Sequence, residues 1–386
     1  MSGTPARTIP ANVIPAKVTI VGCGIVGAMV AYELSHIPTL DITVYEQNQP
    51  AEGSTGAALG VLMGVISHKV KGRTWRLRRD SIQRYRTLLD ELTTQTGRAI
   101  PYNRQGLLSL CFEADRLPKW ESLQQIRAEQ GWPLEIWPPE QIAERCPHLA
   151  LDGVAAGIYS PQDGQVDPVP LTLALIKVAA QNGVTFRMGT AVMGLTTDGV
   201  GRGQIMVSGE TLSPDWLVLC GGIGTHALVA HAAEPVSLIP VFGLATRVDS
   251  RHTLGKTDFQ PVINGRDVHL VPHGSGEYSL GATVEFPAVP ESASLQNFHP
   301  DPALFEQMQQ VARDYCPALS QATHLSTWHH LRPRPQGQPA PVIQPLAGFQ
   351  NVPLATGHNR NGVLLAPATA GIVKAQILEG LGLGNT

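Results

Sequence analysis

Residues 18–27 read Val-Thr-Ile-Val-Gly-Cys-Gly-Ile-Val-Gly, and this stretch decides the fold. Its apolar start predicts a buried strand, and the glycines that follow have the GxGxxG spacing of a dinucleotide-binding turn. Gly22 permits the tight turn, Gly24 lets a pyrophosphate approach the backbone, and Gly27 lets the next helix pack closely on the strand. The sequence therefore predicts a Rossmann-like unit here.

The next strand supplies an acidic residue where such a unit needs one. Residues 42–45 read Ile-Thr-Val-Tyr and end at Glu46. A carboxylate at this place accepts hydrogen bonds from the ribose hydroxyls of an adenosine and disfavours a 2′-phosphate. Strand, glycines, helix, strand and glutamate in this order are a specific signal, although they do not separate NAD from FAD.

A second motif lies near the end of the chain, where residues 357–367 read Gly-His-Asn-Arg-Asn-Gly-Val-Leu-Leu-Ala-Pro. A polar loop is followed by an apolar helix, and Pro367 predicts that the helix begins near it, because proline is tolerated in a first turn. Free N–H groups and the positive end of the helix dipole, next to Arg360, predict a site for negative charge. A ligand that reaches both motifs must be long.

Residues 53–62, Gly-Ser-Thr-Gly-Ala-Ala-Leu-Gly-Val-Leu, are small and polar at first and then apolar. Such a segment can lie flat against an aromatic ring system, with the hydroxyls of Ser54 and Thr55 reaching phosphate or ribityl oxygens. An ordinary loop of glycine and alanine is the alternative, and the segment alone does not exclude it.

Composition narrows the function classes. The chain has 386 residues, a net charge of −3 and 15% charged residues, which suits two domains and indicates no basic face for nucleic acid. No apolar run approaches a membrane span, and residues 1–16 lack the apolar core of a signal peptide. The cysteines are scattered without a CxxC pair, which favours reduced thiols in a cytoplasmic protein.

The order of the predicted elements indicates an α/β fold with a discontinuous Rossmann-like domain and an α+β domain that has a mostly antiparallel sheet. Short strands alternate with Pro and Gly turns over 229–327, as in antiparallel sheets. The apolar strand that ends at Gly221 returns to the parallel style, with ligands expected at strand carboxyl ends. The predicted segments are a disordered leader at 1–16, the Rossmann-like domain at 17–96, 163–228 and 328–386, and the second domain at 97–162 and 229–327.

These motifs occur in the order seen in the D-amino acid oxidase-like family of FAD enzymes, which the chain resembles from Val18 onward. The closing loop most resembles that of the glycine oxidases. The stretches that carry the resemblance are 18–46, 165–168, 220–224, 281–283, 331–333 and 357–367.

The resemblance implies one FAD held without a covalent bond, whose reduced, anionic flavin is stabilised by the start of the last helix. The implied cofactor contacts are Gly22, Gly24, Ile25, Val26 and Gly27 at the pyrophosphate, Glu46, Gln47 and Val192 at the adenosine, Gly221 at a strand end, Ser54, Thr55, Leu59, Gly60 and Val61 along the ribityl chain and flavin, and His358, Asn359, Arg360, Asn361, Gly362, Val363 and Leu364 at the flavin.

The resemblance also implies that Arg332 and Arg360 hold a substrate carboxylate, which a guanidinium matches in a bidentate way. A surface ion pair is the alternative for Arg332, and a phosphate or helix-capping contact is the alternative for Arg360. His269 takes the place of a tyrosine that is common in glycine oxidases, as Asn359 and His330 replace other residues of that pattern. His269 could bind a substrate group, tune pH dependence near neutrality, or be a core histidine.

The implied reaction is oxidative deamination of a small amino acid or an N-substituted glycine. The neutral amine loses a hydride from its α-carbon to flavin N5, the imine hydrolyses to an oxo acid and ammonia or an amine, and dioxygen reoxidises the flavin to give hydrogen peroxide. A dehydrogenase of the same fold that uses a quinone, and a flavin-binding protein without turnover, stay open, as does a homo-oligomer. No metal site is predicted, because His329 and His330 are adjacent on a strand and point to opposite faces.

Overall fold

The computed structural model describes residues 14–286 and 300–383. The predicted leader lies mostly outside the described residues, and the first strand begins at Ala16. The strands are β1 (Ala16–Val21), β2 (Leu40–Tyr45), β3 (Val61–Leu62), β4 (Tyr102–Asn103), β5 (Leu107–Cys111), β6 (Glu135–Trp137), β7 (Ala156–Ser160), β8 (Gly164–Val166), β9 (Thr185–Arg187), β10 (Val192–Thr197), β11 (Gly203–Val207), β12 (Glu210–Leu212), β13 (Trp216–Leu219), β14 (Leu238–Asp249), β15 (Val262–Gly265), β16 (Val268–Gly274), β17 (Glu277–Gly281), β18 (Thr323–Pro335), β19 (Val342–Pro345) and β20 (Pro353–Thr356).

The helices of the described residues are partly buried and pack on these strands. Long α2 ends at Gly97, which adopts the left-handed conformation that glycine tolerates at a helix C-terminus. The helices are α1 (Ile25–Ser35), α2 (Gly72–Thr96), α3 (Leu117–Glu129), α4 (Pro139–Arg145), α5 (Pro168–Gln181), α6 (Thr225–Leu228), α7 (Pro302–Tyr315) and α8 (Gly362–Gly380).

The Rossmann-like unit is built on a six-stranded sheet in the order β19-β20-β13-β1-β2-β9. All neighbours are parallel except β19 and β20. The last four residues of β1 are buried, as expected for a central parallel strand, and α1 packs against α5 and α8. The carboxyl ends of β1 and β2 therefore meet at one edge of the sheet.

The second unit is an eight-stranded sheet in the order β18-β14-β17-β16-β15-β5-β7-β6. Every pair of neighbours is antiparallel except β15 and β5, which run parallel. This pair joins the two predicted segments of the second domain, 97–162 and 229–327. The α/β fold class with a mostly antiparallel second sheet is confirmed. The border predicted at 327/328 falls inside β18, which pairs with β14 and carries residues 328–335 into the antiparallel sheet.

The two faces of the eight-stranded sheet have different neighbours. Ile263 and Leu270 pack on the side of α7, in a core that also holds Met308. Val262 and Val271, on the opposite face, join the core of the Rossmann-like unit. We call this second side the inner face, since it is turned toward the Rossmann-like unit.

The start of α8 differs from the prediction. The helix begins at Gly362, after a 3₁₀ turn over Asn359–Asn361, so Pro367 lies inside it rather than in its first turn. Proline has no N–H to give to the carbonyl of Val363, four residues earlier. The buried hydroxyl of Tyr85 donates to that carbonyl at 2.6 Å and replaces the missing bond.

The expectation that no apolar run approaches a membrane span also needs correction. Among the described residues, the stretch Asn359–Gly380 contains an 18-residue window with a mean hydropathy of 1.2, enough by length and composition alone. Half of it is buried inside the protein, where α8 packs against α1 and α2. Its apolar character is therefore that of a core helix.

Candidate active site

The glycine-rich turn has the tight geometry that its sequence predicts. Gly22 has a positive φ of 99°, and a Cβ at Gly27 would collide with the carbonyl oxygen of Gly22. The N–H of Cys23 donates to Glu46 Oε2 at 2.7 Å, and the N–H of Asn48 donates to Oε1 at 3.0 Å. The turn and the acidic end of β2 are thus one connected unit.

Thr55 takes a place in this turn that the sequence did not indicate. Its Oγ1 accepts the N–H of Ile25 at 3.0 Å. A Cβ at Gly24 would lie 2.9 Å from the same oxygen, so this glycine makes room for Thr55. The segment after β2 therefore lies directly over the start of α1, where Val26 is half-buried.

The residues predicted at the adenosine end are close in space. The N–H of Thr190 donates to the Glu46 carbonyl at 2.8 Å, which places the start of β10 at Val192 beside the end of β2. Gln47 is exposed. The other side of the glycine-rich turn is closed by the chain before Gly221, because a Cβ at Gly22 would lie 2.7 Å from the Cys220 carbonyl oxygen.

Residues 53–61 dock on the long strand β18. Ser54 Oγ donates to the Leu331 carbonyl at 2.5 Å, and the indole N–H of Trp328 donates to the carbonyl of Ala57 at 3.1 Å. The far end of the segment is held by β8, where Gly60 accepts the N–H of Val166 at 3.1 Å, Leu59 accepts from Gln165, and Val61 enters β3. The segment is therefore fixed between β18 of the eight-stranded sheet and a small sheet in the order β3-β8-β4.

A buried acid and a buried base hold the loop that follows. Asp163 accepts the N–H groups of Gly64, Val65 and Ile66 at 2.7 to 2.8 Å. The guanidinium of Arg127 donates to the carbonyls of residues 65, 67 and 69 and lies 3.6 Å from the ring centre of a tryptophan. Burial lowers the pKa of Arg127 to about 10. Sequence reasoning missed this pair, because neither residue belongs to a motif.

Two buried side chains anchor the closing loop to α8. His358 Nε2 donates to Thr369 Oγ1 at 2.9 Å, since that hydroxyl itself donates to a backbone carbonyl. Burial, with a smaller contribution from the nearby Arg73, lowers the pKa of His358 to about 3, so it is neutral. Val363 and Leu364 are buried in the core, while Gly362 is half-buried.

Arg78 joins this loop to the segment 61–63 and was also missed. Its Nη1 donates to the Met63 carbonyl at 2.7 Å and its Nη2 to Asn361 Oδ1 at 3.3 Å. Burial lowers the pKa of Arg78, while Asp163 acts in the opposite direction. Oδ1 of Asn359, in the same loop, is buried without a hydrogen-bond partner. Arg78 is one of six arginines in α2, and nothing in the sequence singles it out for this bridge.

The structure brings Arg332 and Arg360 together. Arg332 Nη1 donates to the carbonyls of Thr283 at 3.0 Å and Phe242 at 3.3 Å, and a Cβ at Gly243 would collide with its guanidinium. Burial, and then the charge of Arg360, lower the pKa of Arg332 to about 10. Neither arginine forms an ion pair with any residue that the structure describes. The nearby Glu285 acts on the pKa of Arg332 in the opposite direction. Two neighbouring guanidinium groups outside the described ion pairs still favour the binding of an anion.

His269 lies beside this pair on β16. It is 8% exposed, and its Nδ1 has no hydrogen-bond partner, so it is not a satisfied core histidine. Burial, and then Arg360, lower its pKa to about 4. This shift favours a neutral His269 at pH 7 over the titration near neutrality that the sequence left open. No group of histidine, cysteine and carboxylate side chains that could hold a metal is found within residues 14–286 and 300–383.

Comparison with known proteins agrees with this geometry. The profile of the family described as FAD dependent oxidoreductase, DAO, matches residues 17–376. The chain belongs to the DAO family. It is an FAD-dependent oxidoreductase of the glycine oxidase type, related to amino-acid and amine oxidases, and its cofactor is FAD.

The relatives of this DAO-family chain cover nearly all of it. The glycine oxidase of Geobacillus kaustophilus is 26% identical over 372 residues, covering 94% of this chain and 92% of that protein. The bifunctional protein ThiO/ThiG of Synechocystis sp. is 30% identical over 94% of this chain, which spans 51% of that protein. The crystal structure of a glycine oxidase from Bacillus cereus matches with a TM-score of 0.81 at 24% identity, over 95% of each chain.

The residues of this DAO-family site fit FAD. The turn at Gly22 and Gly27 has no space for side chains, and Glu46 keeps a carboxylate at the end of β2 for a ribose. The buried, unpartnered Oδ1 of Asn359 lies at the opposite, flavin end of the predicted cofactor path. Both ends thus offer polar groups of the right type to a long ligand.

Proposed function

We propose that this chain catalyses the oxidative deamination of a small amino acid or an N-substituted glycine to an oxo acid and ammonia or an amine. The observation that carries the proposal is the neighbouring pair of guanidinium groups of Arg332 and Arg360. Neither forms an ion pair with a described residue, and both lie beside the neutral His269. A substrate carboxylate relieves the repulsion between the two cations, and a guanidinium binds it with two parallel hydrogen bonds.

The protein's own part is to bind and orient the substrate. Two backbone carbonyls and the absence of a side chain at Gly243 hold the Arg332 guanidinium in one place, so a bound carboxylate fixes the α-carbon next to it. The positive charges favour a substrate amine in its neutral form, because they lower the pKa of a nearby ammonium. FAD, when bound, supplies the two-electron oxidation itself.

The electron acceptor that we propose is dioxygen, with hydrogen peroxide as the second product. The similarity to the glycine oxidase of Geobacillus kaustophilus supports an oxidase. We also propose a reducing compartment such as the cytoplasm, supported by five cysteines that are all free and buried.

Anaerobic mixing with glycine, sarcosine, D-amino acids and N-alkyl glycines tests the proposal. We expect at least one of them to bleach the oxidised flavin absorbance, and admitted air to restore it with formation of peroxide. A flavin that none of these compounds reduces would refute the substrate class. Fast reduction followed by slow reoxidation in air would instead assign a dehydrogenase.

The variant Arg332→Ala tests the carboxylate site. Loss of one partner of a desolvated charge pair costs about 2–5 kcal/mol, so KM should rise at least about 30-fold while FAD stays bound. Arg334→Ala is the matched control, since Arg334 is exposed on the same strand and lies over Phe286. Loss of FAD from Arg332→Ala would show that this arginine holds the cofactor rather than the substrate.

A further inference from the structure

A row of polar side chains crosses the inner face of the eight-stranded sheet. Ser109 on β5 pairs with Asn264 on β15, and Asn264 pairs with His269 on β16. The same line of paired residues continues through Gly281 on β17 to Ala245 on β14, which have no polar side chains. Directly paired residues point to the same face of a sheet. We call Ser109, Asn264 and His269 the polar row.

The polar row faces the Rossmann-like unit rather than α7. Val262 lies two residues before Asn264, and Val271 lies two residues after His269, so each pair shares a face. Both valines belong to the core of the Rossmann-like unit. The same face is reached by the segment predicted to contact the flavin, since a Cβ at Gly281 would lie 3.1 Å from Leu59 Cδ1.

Two buried polar atoms of the row have no partner. Asn264 Nδ2 donates to Ser109 Oγ at 3.0 Å, but Asn264 Oδ1 and His269 Nδ1 accept or donate nothing. Both residues are only 8% exposed. Buried polar groups in folded proteins are nearly always hydrogen-bonded, so each unpartnered atom calls for an explanation. Here the explanation is a ligand, because the row borders, at Gly281, the segment that is predicted to contact the flavin.

We propose that the polar row selects substrates whose side chain or N-substituent carries a neutral polar group, a hydroxyl or a carboxamide, which donates a hydrogen bond to Asn264 Oδ1. The proposal rests on the carboxylate site proposed above and adds a second point of substrate recognition on the polar row. The positive charge of Arg360 disfavours an ammonium group of the substrate at this place. A second carboxylate is disfavoured because it has no hydrogen to donate to the amide oxygen of Asn264. Glycine and sarcosine carry no such group and leave the row without a partner.

Matched pairs of compounds test the selection on the wild-type, FAD-loaded protein. The pairs are N-(2-hydroxyethyl)glycine against N-propylglycine, and asparagine against leucine in both enantiomers. Under anaerobic conditions we expect kcat/KM for flavin reduction to be at least about tenfold higher for the polar member of a pair. Equal or lower values for the polar member in every pair would overturn the proposal.

A binding measurement separates this proposal from the proposed reaction. The compounds 3-hydroxypropanoate and butanoate have a carboxylate, similar size and no amine, and their binding is followed by the change in the flavin spectrum. We expect the hydroxyl compound to bind at least about tenfold more tightly. If no amino acid reduces the flavin but this difference holds, the reaction is wrong and the polar row stands. Equal affinities overturn the row.

The variant Asn264→Leu keeps the volume of the side chain and removes both amide atoms. It should lower the preference within each pair to about threefold or less. Gln204→Leu is the control, because it removes the same kind of bond, from Gln204 Nε2 to Ser213 Oγ at 2.8 Å, in another sheet. A preference that Asn264→Leu leaves intact would overturn the proposal, and if this variant does not fold the wild-type pairs decide.

Discussion

Replacing Tyr85 by phenylalanine removes the hydroxyl that completes α8. The phenol oxygen lies 2.6 Å from the Val363 carbonyl, which Pro367 leaves without its helical partner. The ring stays in place, so no cavity forms. A buried carbonyl without a partner costs about 1–3 kcal/mol.

The expected change in melting temperature follows from the size of the protein. An unfolding entropy of roughly 2.1 cal/mol/K per residue makes each kcal/mol worth about 1.2 °C for a chain of 386 residues. Tyr85→Phe should therefore lower the apparent Tm by about 1–4 °C, measured at one fixed FAD concentration because bound cofactor itself raises Tm. Tyr32→Phe is the matched control, since that hydroxyl only donates to the partly exposed Glu91.

A double-mutant cycle with Pro367→Ala tests the reason for the loss. Alanine restores an N–H that can donate to the Val363 carbonyl, so in this background Tyr85→Phe should cost less than about half as much. If Tyr85→Phe lowers Tm equally in both backgrounds, the hydroxyl does not replace the missing helical bond, and the reasoning is refuted.

Two further predictions concern the substrate site and the response to acid. Gly243→Ala should displace the Arg332 guanidinium and raise KM at least about tenfold with FAD retained. Gly371→Ala is the control and should not raise KM, because position 371 has open space around it. Unchanged KM in Gly243→Ala would contradict the contact. Burial lowers the pKa of His148 to about 4, so the unfolded chain gains its proton near pH 6.5 and the folded chain only near pH 4. Stability should therefore fall as pH drops from 6.5 to 4, and His148→Gln should make this fall in Tm shallower; an identical pH profile would show that His148 does not contribute.

The fold class and the cofactor were predictable because their signals are local. Gly22, Gly27 and Glu46 lie within 25 residues, and each is required by the backbone geometry of a single strand–turn–helix–strand unit. Such a unit leaves few alternatives for the chain. Arg360 was placed in an anion site by its position beside the last helix, but its pairing with Arg332 came only from the family resemblance. Nothing in the spacing of the two residues says that β18 and the closing loop meet.

The parts that could not be predicted depend on contacts between distant residues and backbone groups. Asp163, Arg127 and Arg78 act on carbonyls and N–H groups of residues 63–69, and any sequence in that loop presents such groups. The start of α8 was predicted wrongly for a related reason. A local rule placed Pro367 in the first turn, but a tertiary hydrogen bond from another helix made a later position acceptable.

The parallel pair of β15 and β5 also bears on how the protein is made. Val262 follows its partner Leu107 by 155 residues, so at about 5–20 residues per second a ribosome needs roughly 8–30 s to supply the second strand. During that time one edge of β5 has unpaired N–H and C=O groups, and all five of its residues are apolar or small. Such an edge is a template for pairing with other chains. Aggregation during synthesis, rather than of the finished enzyme, is therefore the hazard that this topology creates, and a slower ribosome would increase it.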